Sequence, residues 1–203
     1  MQKKIQILAF IAMTLATTPA MSGYKLMPAG KPALVAKSGM SVTPGQPWNR
    51  LGARVGRNAE SWTLDGLTLN DMTFYGGIAN DTTLFREVDK KNAPLPRFSS
   101  TMLIPDVVQL FEASYRVANG TSLMSIDSIE PAPFAGKSGF RFTYNFTVQN
   151  EEVKRLGEAR GAIVDGRLFM MTFEAPIIHY FANDVGAFRA IADSAVIGVI
   201  PKK

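Results

Sequence analysis

A row of aromatic side chains at every second position lies in the C-terminal half of this sequence. The row consists of Phe140, Phe142, Tyr144 and Phe146, with polar residues from Arg141 to Thr147 at the positions between them. Only a β-strand places such a row on one face while its other face stays polar, because successive side chains point to opposite sides of a strand. The row therefore predicts a half-buried strand that packs against another layer of the domain.

A two-residue turn downstream predicts a β-hairpin. Asp165-Gly166 separates the strand-like segments 156–164 and 167–173, and Asp-Gly is favoured in the tight turn of a hairpin. The first segment carries two glycines and an alanine at alternate positions, and we expect large rings from 140–146 or 169–173 to cover them. Residues 168–171 are all apolar, which is typical of a central strand covered on both faces.

Two amphipathic helices are predicted elsewhere in the chain. Apolar residues recur at three- and four-residue steps between Ile104 and Tyr115, which indicates one face of a helix. Pro105 suits its first turn, and Asn119-Gly120 suits its end. A second helix is predicted to begin at Asn183-Asp184, a favourable N-cap pair.

Shorter strands are predicted upstream of the first helix, over 33–42, 60–64 and 72–75. Gly76-Gly77 follows the last of them and indicates a bulge or a close approach of backbone. Successive antiparallel strands, with one helix inserted and one at the end, predict an α+β domain. We expect an antiparallel β-sheet sandwiched by helices.

The N-terminus has the three regions of a secretory signal peptide. Lys3-Lys4 precedes an apolar run from Ile5 to Ala16, and the small residues of Thr18-Pro19-Ala20 suit a signal peptidase. The run is shorter than the about 20 residues of a membrane-spanning helix, so we predict a cleaved signal peptide over 1–20 and no transmembrane anchor after cleavage. An uncleaved anchoring helix is the alternative. The prediction is therefore a periplasmic or secreted protein.

The remaining sequence predicts a leader and one domain. Glycines, prolines and scattered lysines over 21–32 are typical of a flexible leader, and 33–203 suits a single domain. The chain has no cysteine, which excludes disulfides, thiol catalysis and thiolate metal sites. The net charge of +5 includes two lysines of the predicted signal peptide. So small a basic excess predicts no binding to nucleic acid.

The C-terminal third resembles a known fold. The two strands that run from Glu158 to Glu174, then Tyr180, then a closing helix with Phe188, Ile191 and Ser194 look like the PsbP-like fold. That fold is found in the extrinsic photosystem subunit family and in small exported bacterial proteins and lipoproteins of unknown function. The resemblance implies an antiparallel sheet between helices and an accessory or binding role. It carries over no catalytic residues.

Motifs for catalysis or cofactors are weak in this sequence. Gly136-Lys137-Ser138 lacks the upstream glycine and the following helix of a phosphate-binding loop, and we predict no cofactor and no metal site. His179 is the only histidine, so a hydrolase would need it as general base, with Ser138 or Ser194 as nucleophile. No spacing requires that arrangement, and a packed or capping histidine is the simpler interpretation.

Two sets of residues are candidates for binding. The aromatic row, together with Met171, would line an apolar ligand pocket, with a packed core as the simpler interpretation. The second set combines a tryptophan with basic residues of two loops: Trp48, Arg50, Arg54, Arg57, Lys90 and Lys91. Loop-borne aromatic and basic residues are common at protein interfaces, and a core position or a cation–π contact is the alternative for the tryptophan.

These observations favour an exported cell-envelope protein that binds a partner or assists assembly without catalysis. The expected partner is an envelope protein, whose identity the sequence does not indicate. A carrier of a small apolar ligand, held between the aromatic row and a helix, is the alternative. A hydrolase that uses His179 as general base is a further alternative.

Overall fold

The computed structural model describes residues 23–121, 123–148 and 152–198 of the chain. The predicted signal peptide over 1–20 lies outside these residues. Within them the chain forms helices α1 (Ile104–Asn119) and α2 (Tyr180–Asp193). The strands, in chain order, are β1 (Tyr24–Met27), β2 (Ala33–Leu34), β3 (Met40–Val42), β4 (Trp48–Leu51), β5 (Ala59–Thr63), β6 (Asp71–Ile78), β7 (Met124–Phe134), β8 (Lys137–Thr147), β9 (Lys154–Val164), β10 (Arg167–Pro176) and β11 (Val196–Ile197).

Most of these strands form one antiparallel sheet. Its strand order is β1-β4-β5-β6-β10-β9-β8-β7, and a small sheet has the order β11-β3-β2. Helix α1 follows β6 and covers one face of the main sheet, whereas α2 and the small sheet cover the other face. The prediction of an α+β domain with an antiparallel sheet sandwiched by helices is confirmed. No helix in the described part of the chain has the length and apolarity needed to cross a membrane.

The central strand β10 contributes to two separate apolar cores. Leu168 and Met170 pack in the core under α1, whereas Phe169 and Met171 pack in the core under α2. All of these residues have 0% exposure. The prediction of a central strand covered on both faces is confirmed, because alternate side chains of a strand point to opposite faces.

The predicted hairpin and its covered glycines are confirmed. Asp165 and Gly166 form the turn between β9 and β10 with φ angles of 49° and 70°, as a tight two-residue turn requires. On β9, a side chain at Gly157 would collide with the ring of Tyr144, and a Cβ at Gly161 would lie 2.8 Å from Cζ of Phe140. Glycine is therefore needed at both positions for the neighbouring rings to pack.

The structure differs from the sequence-based predictions at three places. Residues 24–27, predicted within a flexible leader, form β1 and pair with β4. The predicted strand over 33–42 is divided into β2 and β3 by a turn. Helix α2 begins at Tyr180 and not at Asn183-Asp184, and the Asp184 carboxylate accepts a hydrogen bond from the Asn70 amide at 3.0 Å.

The outer strand β7 has irregular features along its length. The register of its pairing with β8 shifts between Ile126 and Ser128, which marks a bulge. Further along, Pro131 lies opposite Phe140 and Pro133 lies opposite Ser138. Prolines and bulges are common on strands at the edge of a sheet.

Candidate functional site

A cleft with a volume of about 330 Å³ lies where the small sheet meets the main sheet. We call it the basic cleft. Its walls are the turn between β2 and β3, the residues before β5, the end of β6 and the start of β10. The residues that define it are Lys37, Arg57, Asn58, Gly76, Gly77 and Arg167.

Two consecutive glycines of β6 shape this cleft. Gly76 lies opposite Phe169 and Ile78 lies opposite Leu168, so that Gly77 is the extra residue of a bulge, with a φ angle of 70°. A Cβ at Gly76 would lie 2.6 Å from Cβ of Ser38, so only glycine lets the β2–β3 turn approach β6 this closely. The predicted bulge or close approach at Gly76-Gly77 is confirmed in both respects.

Local hydrogen bonds hold the β2–β3 turn that carries Lys37. Ala36 and Lys37 have φ angles of 53° and 50°, a left-handed conformation that few residues adopt without support. The Ser38 hydroxyl donates to the carbonyl of Val35 at 2.9 Å and accepts from the backbone N–H of Met40 at 3.1 Å. The turn is thereby fixed, and it presents the exposed Lys37 at the cleft.

The opposite wall is tied to the same bulge. The Asn58 side-chain amide donates to the carbonyl of Gly76 at 3.2 Å, and the Gly76 N–H donates to the carbonyl of Asn58 at 2.8 Å. The Arg167 guanidinium donates to the carbonyl of Gly77 at 3.4 Å. These contacts place Arg57 and Arg167 on two sides of one cavity.

The charge of the basic cleft is not balanced. None of the described residues that line it is acidic, and Lys37, Arg57 and Arg167 form no ion pair with a carboxylate of the described chain. A concave site lined by charge of one sign attracts ligands of the opposite sign. The arrangement is suited to an anionic group.

The structure divides the predicted partner-binding set. Arg57 lines the basic cleft, whereas Arg50 and Arg54 line a separate groove of about 290 Å³ together with Glu60. The Arg50 guanidinium lies 4.0 Å from the Glu60 carboxylate, which partly neutralises that groove. Trp48 has 0% exposure and lies in the core under α2, so its ring is a core residue and not part of an exposed surface.

The two predicted lysines lie in a different loop. The Lys90 ammonium lies 3.6 Å from the Glu87 carboxylate. The backbone N–H of Lys91 donates to the Asp89 carboxylate at 3.2 Å. Neither lysine is among the residues that line the basic cleft.

The aromatic row packs against α1. The ring of Phe111 lies 5.4 Å from that of Phe142 and 5.2 Å from that of Tyr144, and the ring of Tyr115 lies 5.1 Å from that of Phe146. Phe140 belongs to the same core, with 1% exposure. Met171 packs on the opposite face of the sheet, so the structure does not bring it to the row, and the packed-core interpretation describes these residues.

The structure does not bring His179 to either predicted nucleophile. His179 is exposed, and the Asn183 amide lies 2.9 Å from its Nε2 atom. The Ser194 hydroxyl donates to the carbonyl of Ile191 at 2.7 Å, at the far end of α2. Ser138 lies on β8 opposite Pro133.

Two carboxyl groups face each other under α1. Glu174 of β10 pairs in register with Asp71 of β6, and both residues are half-buried. The Tyr115 hydroxyl donates to Glu174 at 2.9 Å, and the Tyr144 hydroxyl donates to it at 3.2 Å. The Glu174 carboxylate is thus held by tyrosines from the helix and from the aromatic row.

This arrangement changes the ionisation of both carboxyl groups. Burial and the neighbouring Asp71 carboxylate together raise the pKa of Glu174 to about 8, against the hydrogen bond from Tyr115 and the charge of Arg155. Burial also raises the pKa of Asp71 to about 6, against a hydrogen bond from Thr73. Two adjacent carboxyl groups of this kind retain about one proton between them at neutral pH.

A second charged cluster lies on the α2 face, and each of its cations has an anionic partner. Glu158 has 0% exposure and accepts hydrogen bonds from Arg189 at 2.6 Å and from Arg160 at 3.2 Å. Arg141 lies 3.4 Å from the same carboxylate. Arg160 also pairs with Asp193 at 2.7 Å. This cluster joins α2 to the sheet, and its cations already have anionic partners.

Comparison with known proteins gives a likeness of fold. Neither a protein-family model nor a curated protein sequence matches this chain. The fold is similar to that of PsbP. The solution structure of PsbP from the cyanobacterium Synechocystis sp. PCC 6803 (CyanoP) is 14% identical to this chain with a TM-score of 0.47, and the match covers 89% of this chain and 95% of that chain.

A second similar structure is LpqN, which is involved in cell envelope biogenesis of Mycobacterium tuberculosis. It is 9% identical with a TM-score of 0.36, and the match covers 87% of this chain and 92% of that chain. The resemblance to the PsbP-like fold that the C-terminal third predicts is therefore confirmed as a likeness of fold. At these identities the likeness concerns the fold alone.

Sequence reasoning missed two of the three cations of the basic cleft. Lys37 and Arg167 are far from Arg57 in the sequence, and only the register of β6 with β10 and the position of the small sheet bring them together. The one signal in the sequence is Gly76-Gly77. These glycines predict a close approach of backbone, but they do not predict which segment of the chain packs against them.

Proposed function

We propose that this chain is an exported, non-enzymatic binding protein of the cell envelope that holds an anionic group of its partner in the basic cleft. Export rests on the predicted signal peptide over 1–20. The single observation that supports the binding site is the unbalanced charge of Lys37, Arg57 and Arg167 around one cavity. Arginine and lysine at such a site form charge-assisted hydrogen bonds with anions.

The hydroxyl groups of the cleft support a binding role over a catalytic one. Thr82 donates to the carbonyl of Ala79 at 2.6 Å, and Thr83 donates to the carbonyl of Phe85 at 2.7 Å. The hydroxyl of Ser38 likewise donates to a backbone carbonyl. A nucleophilic hydroxyl needs a general base within hydrogen-bond reach, and these hydroxyls donate to carbonyl oxygens instead.

Site-specific cross-linking in intact cells tests this proposal. A photo-reactive residue at Thr83 is expected to form a reproducible adduct with an envelope component. The double variant Lys37→Glu/Arg57→Glu is expected to lose that adduct, because it reverses two of the three charges of the cleft. A photo-reactive residue at Lys137, the first residue of β8, and the variant Arg54→Glu in the separate groove serve as controls.

The outcomes of this experiment are distinct. An adduct that persists in the double variant contradicts the assignment of the cleft. The absence of any adduct from Thr83, with the protein folded and present in the envelope fraction, contradicts the binding role. An adduct lost equally in Arg54→Glu shows a general effect of charge and also argues against the cleft.

A further inference from the structure

The number of charges around the basic cleft restricts the ligand. Three cationic side chains from three separate elements surround one cavity, and none of the described lining residues offsets them. A carboxylate or a phosphodiester carries one negative charge, which would leave most of this charge uncompensated. A phosphate monoester carries about −1.5 to −2 at neutral pH. The charge of the site therefore fits a monoester better.

The hydrogen-bond donors of the cleft lead to the same class of ligand. Each guanidinium offers several N–H donors in a planar fork, and the lysine ammonium offers three more. A carboxylate has two acceptor oxygens, whereas a terminal phosphate group has three. Two arginines and one lysine, Arg57, Arg167 and Lys37, have enough donors to contact all three.

The size and the walls of the cleft restrict the rest of the ligand. A volume of about 330 Å³ is at the lower end of the range for small-molecule sites, so a phosphate group fits together with a small organic body. The half-buried Ala79 forms an apolar part of the wall for the carbon atoms of that body, whereas Ile78 and Phe169 are only 2% and 0% exposed.

Intramolecular contacts fix the shape of the cleft. The bulge at Gly77 packs on the ring of Phe169, since a Cβ there would lie 3.2 Å from Cζ of that ring. The hydrogen bonds from Asn58 and Arg167 to the bulge fix the two walls. A site whose walls are fixed beforehand loses less entropy when a ligand binds.

We infer that the basic cleft binds a phosphate monoester carried on a small organic body. This inference rests on the proposed function, since it names the anionic group that the cleft would hold. A soluble sugar or glycerol phosphate and the head group of a monoester lipid share this chemistry.

Titration calorimetry of the purified protein with small anions tests the inference. Glycerol 3-phosphate is expected to bind with one-to-one stoichiometry and at least ~10-fold more tightly than dimethyl phosphate or acetate, because extra charged hydrogen bonds form. Affinity is expected to fall when the pH is lowered from about 7.5 to about 5, since the second phosphate pKa is about 6.

Variants of arginines inside the cleft are compared with a variant of an arginine outside it. Arg57→Gln and Arg167→Gln are each expected to weaken binding of glycerol 3-phosphate by ~10-fold. Arg54→Gln, an exposed arginine outside the cleft, is expected to leave it unchanged. Circular dichroism of each variant checks that the fold is retained.

Vesicles distinguish the two sources of the monoester. Binding to vesicles that contain phosphatidic acid, and not to vesicles of phosphatidylglycerol or phosphatidylcholine, identifies a lipid head group as the source. Binding of free glycerol 3-phosphate without vesicle binding identifies a soluble ligand. Either result supports the inference.

Other outcomes overturn the inference. Absence of monoester binding in both arms does so, as does equal affinity for the monoester, dimethyl phosphate and acetate. If the Thr83 adduct still depends on Lys37 and Arg57 in that case, the proposed function stands and only the phosphate assignment fails. If the adduct is also absent, both fail.

Discussion

Glu174 lies directly opposite Asp71 across the pairing of β10 with β6, under the face that α1 covers. The Tyr115 hydroxyl, from α1, donates to both oxygens of the Glu174 carboxyl group at 2.9 Å. Because the two carboxyl groups are adjacent and largely removed from water, the fold favours a protonated form of the pair. We therefore expect the stability of this contact between α1 and the sheet to depend on pH.

We expect the free energy of unfolding to fall as the pH rises from about 5 to about 9. The pKa of Glu174 is raised from 4.5 to about 8 in the fold, so the folded chain binds more protons than the unfolded chain over this range. The contribution of Glu174 to the free energy of unfolding is fully present below its pKa in the unfolded chain. It is lost as the pH rises through its pKa in the folded chain. The loss is on the order of 3 kcal/mol. Urea unfolding at both pH values measures it.

Two variants separate this effect from the titration of other groups. Glu174→Gln is expected to reduce the pH dependence, because a neutral amide replaces one of the two titrating groups and only Asp71 remains. Glu152→Gln, at an exposed position, is expected to retain it. A wild-type stability that stays constant or increases over the range contradicts the prediction.

Removal of the buried Glu158 carboxylate is expected to destabilise the fold. Glu158→Gln leaves Arg189, Arg160 and Arg141 without their shared anionic partner. Because these arginines are themselves partly exposed, the loss of their charged hydrogen bonds is expected to cost about 1.5–3 kcal/mol. Asp193→Asn, which removes an exposed partner of the same network, is expected to cost less than about 1 kcal/mol. Urea unfolding compares the two variants, and equal losses would argue against a central role for Glu158.

Two glycine substitutions are expected to have opposite effects. Gly157→Ala places a methyl group within the ring of Tyr144, and such overpacking costs about 1–3 kcal/mol. Gly186→Ala, inside α2 with no atom within 4 Å of the added Cβ, is expected to stabilise the chain by about 0.5–1 kcal/mol because alanine is the better helix former. Thermal melts of both variants measure the difference. Destabilisation by Gly186→Ala would be the contrary result.

Asn70 is expected to be essential for the connection between β5 and β6. Its side chain has 0% exposure, accepts from the N–H of Leu64 at 2.8 Å and donates to Asp184 of α2 at 3.0 Å. Asn70→Ala leaves these half-buried groups without their partner and is expected to cost about 1–3 kcal/mol. Asn92→Ala, in an exposed loop, is the matched control for urea unfolding. Similar stabilities of the two variants would contradict the prediction.

Local patterns in the sequence predict much of the sheet. The aromatic alternation identifies β8, and Asp165-Gly166 identifies the β9–β10 turn, because both signals are contained within a few residues. Strand β1 has no such signal. Its residues Tyr24, Lys25 and Leu26 are exposed, and it is a strand because it pairs with β4.

Less of the candidate site than of the sheet could be predicted from the sequence. The predicted partner-binding set groups Trp48 with nearby arginines, yet Trp48 is the one buried residue of β4 and lies in the core under α2. Arg50 and Arg57 are close in sequence but line different cavities. Only the tertiary arrangement joins Lys37, Arg57 and Arg167, and no periodicity in one segment predicts a meeting of three distant segments.

The prolines of β7 have a consequence for how copies of this protein meet. Since a proline has no N–H to donate to β8, Pro131 and Pro133 are suited to positions that face away from the sheet. An incoming strand would find carbonyl oxygens there but no donors at two successive positions, and the bulge after Ile126 would spoil its alignment. The β7 edge of the sheet is thereby protected against strand-to-strand polymerisation between copies of the protein.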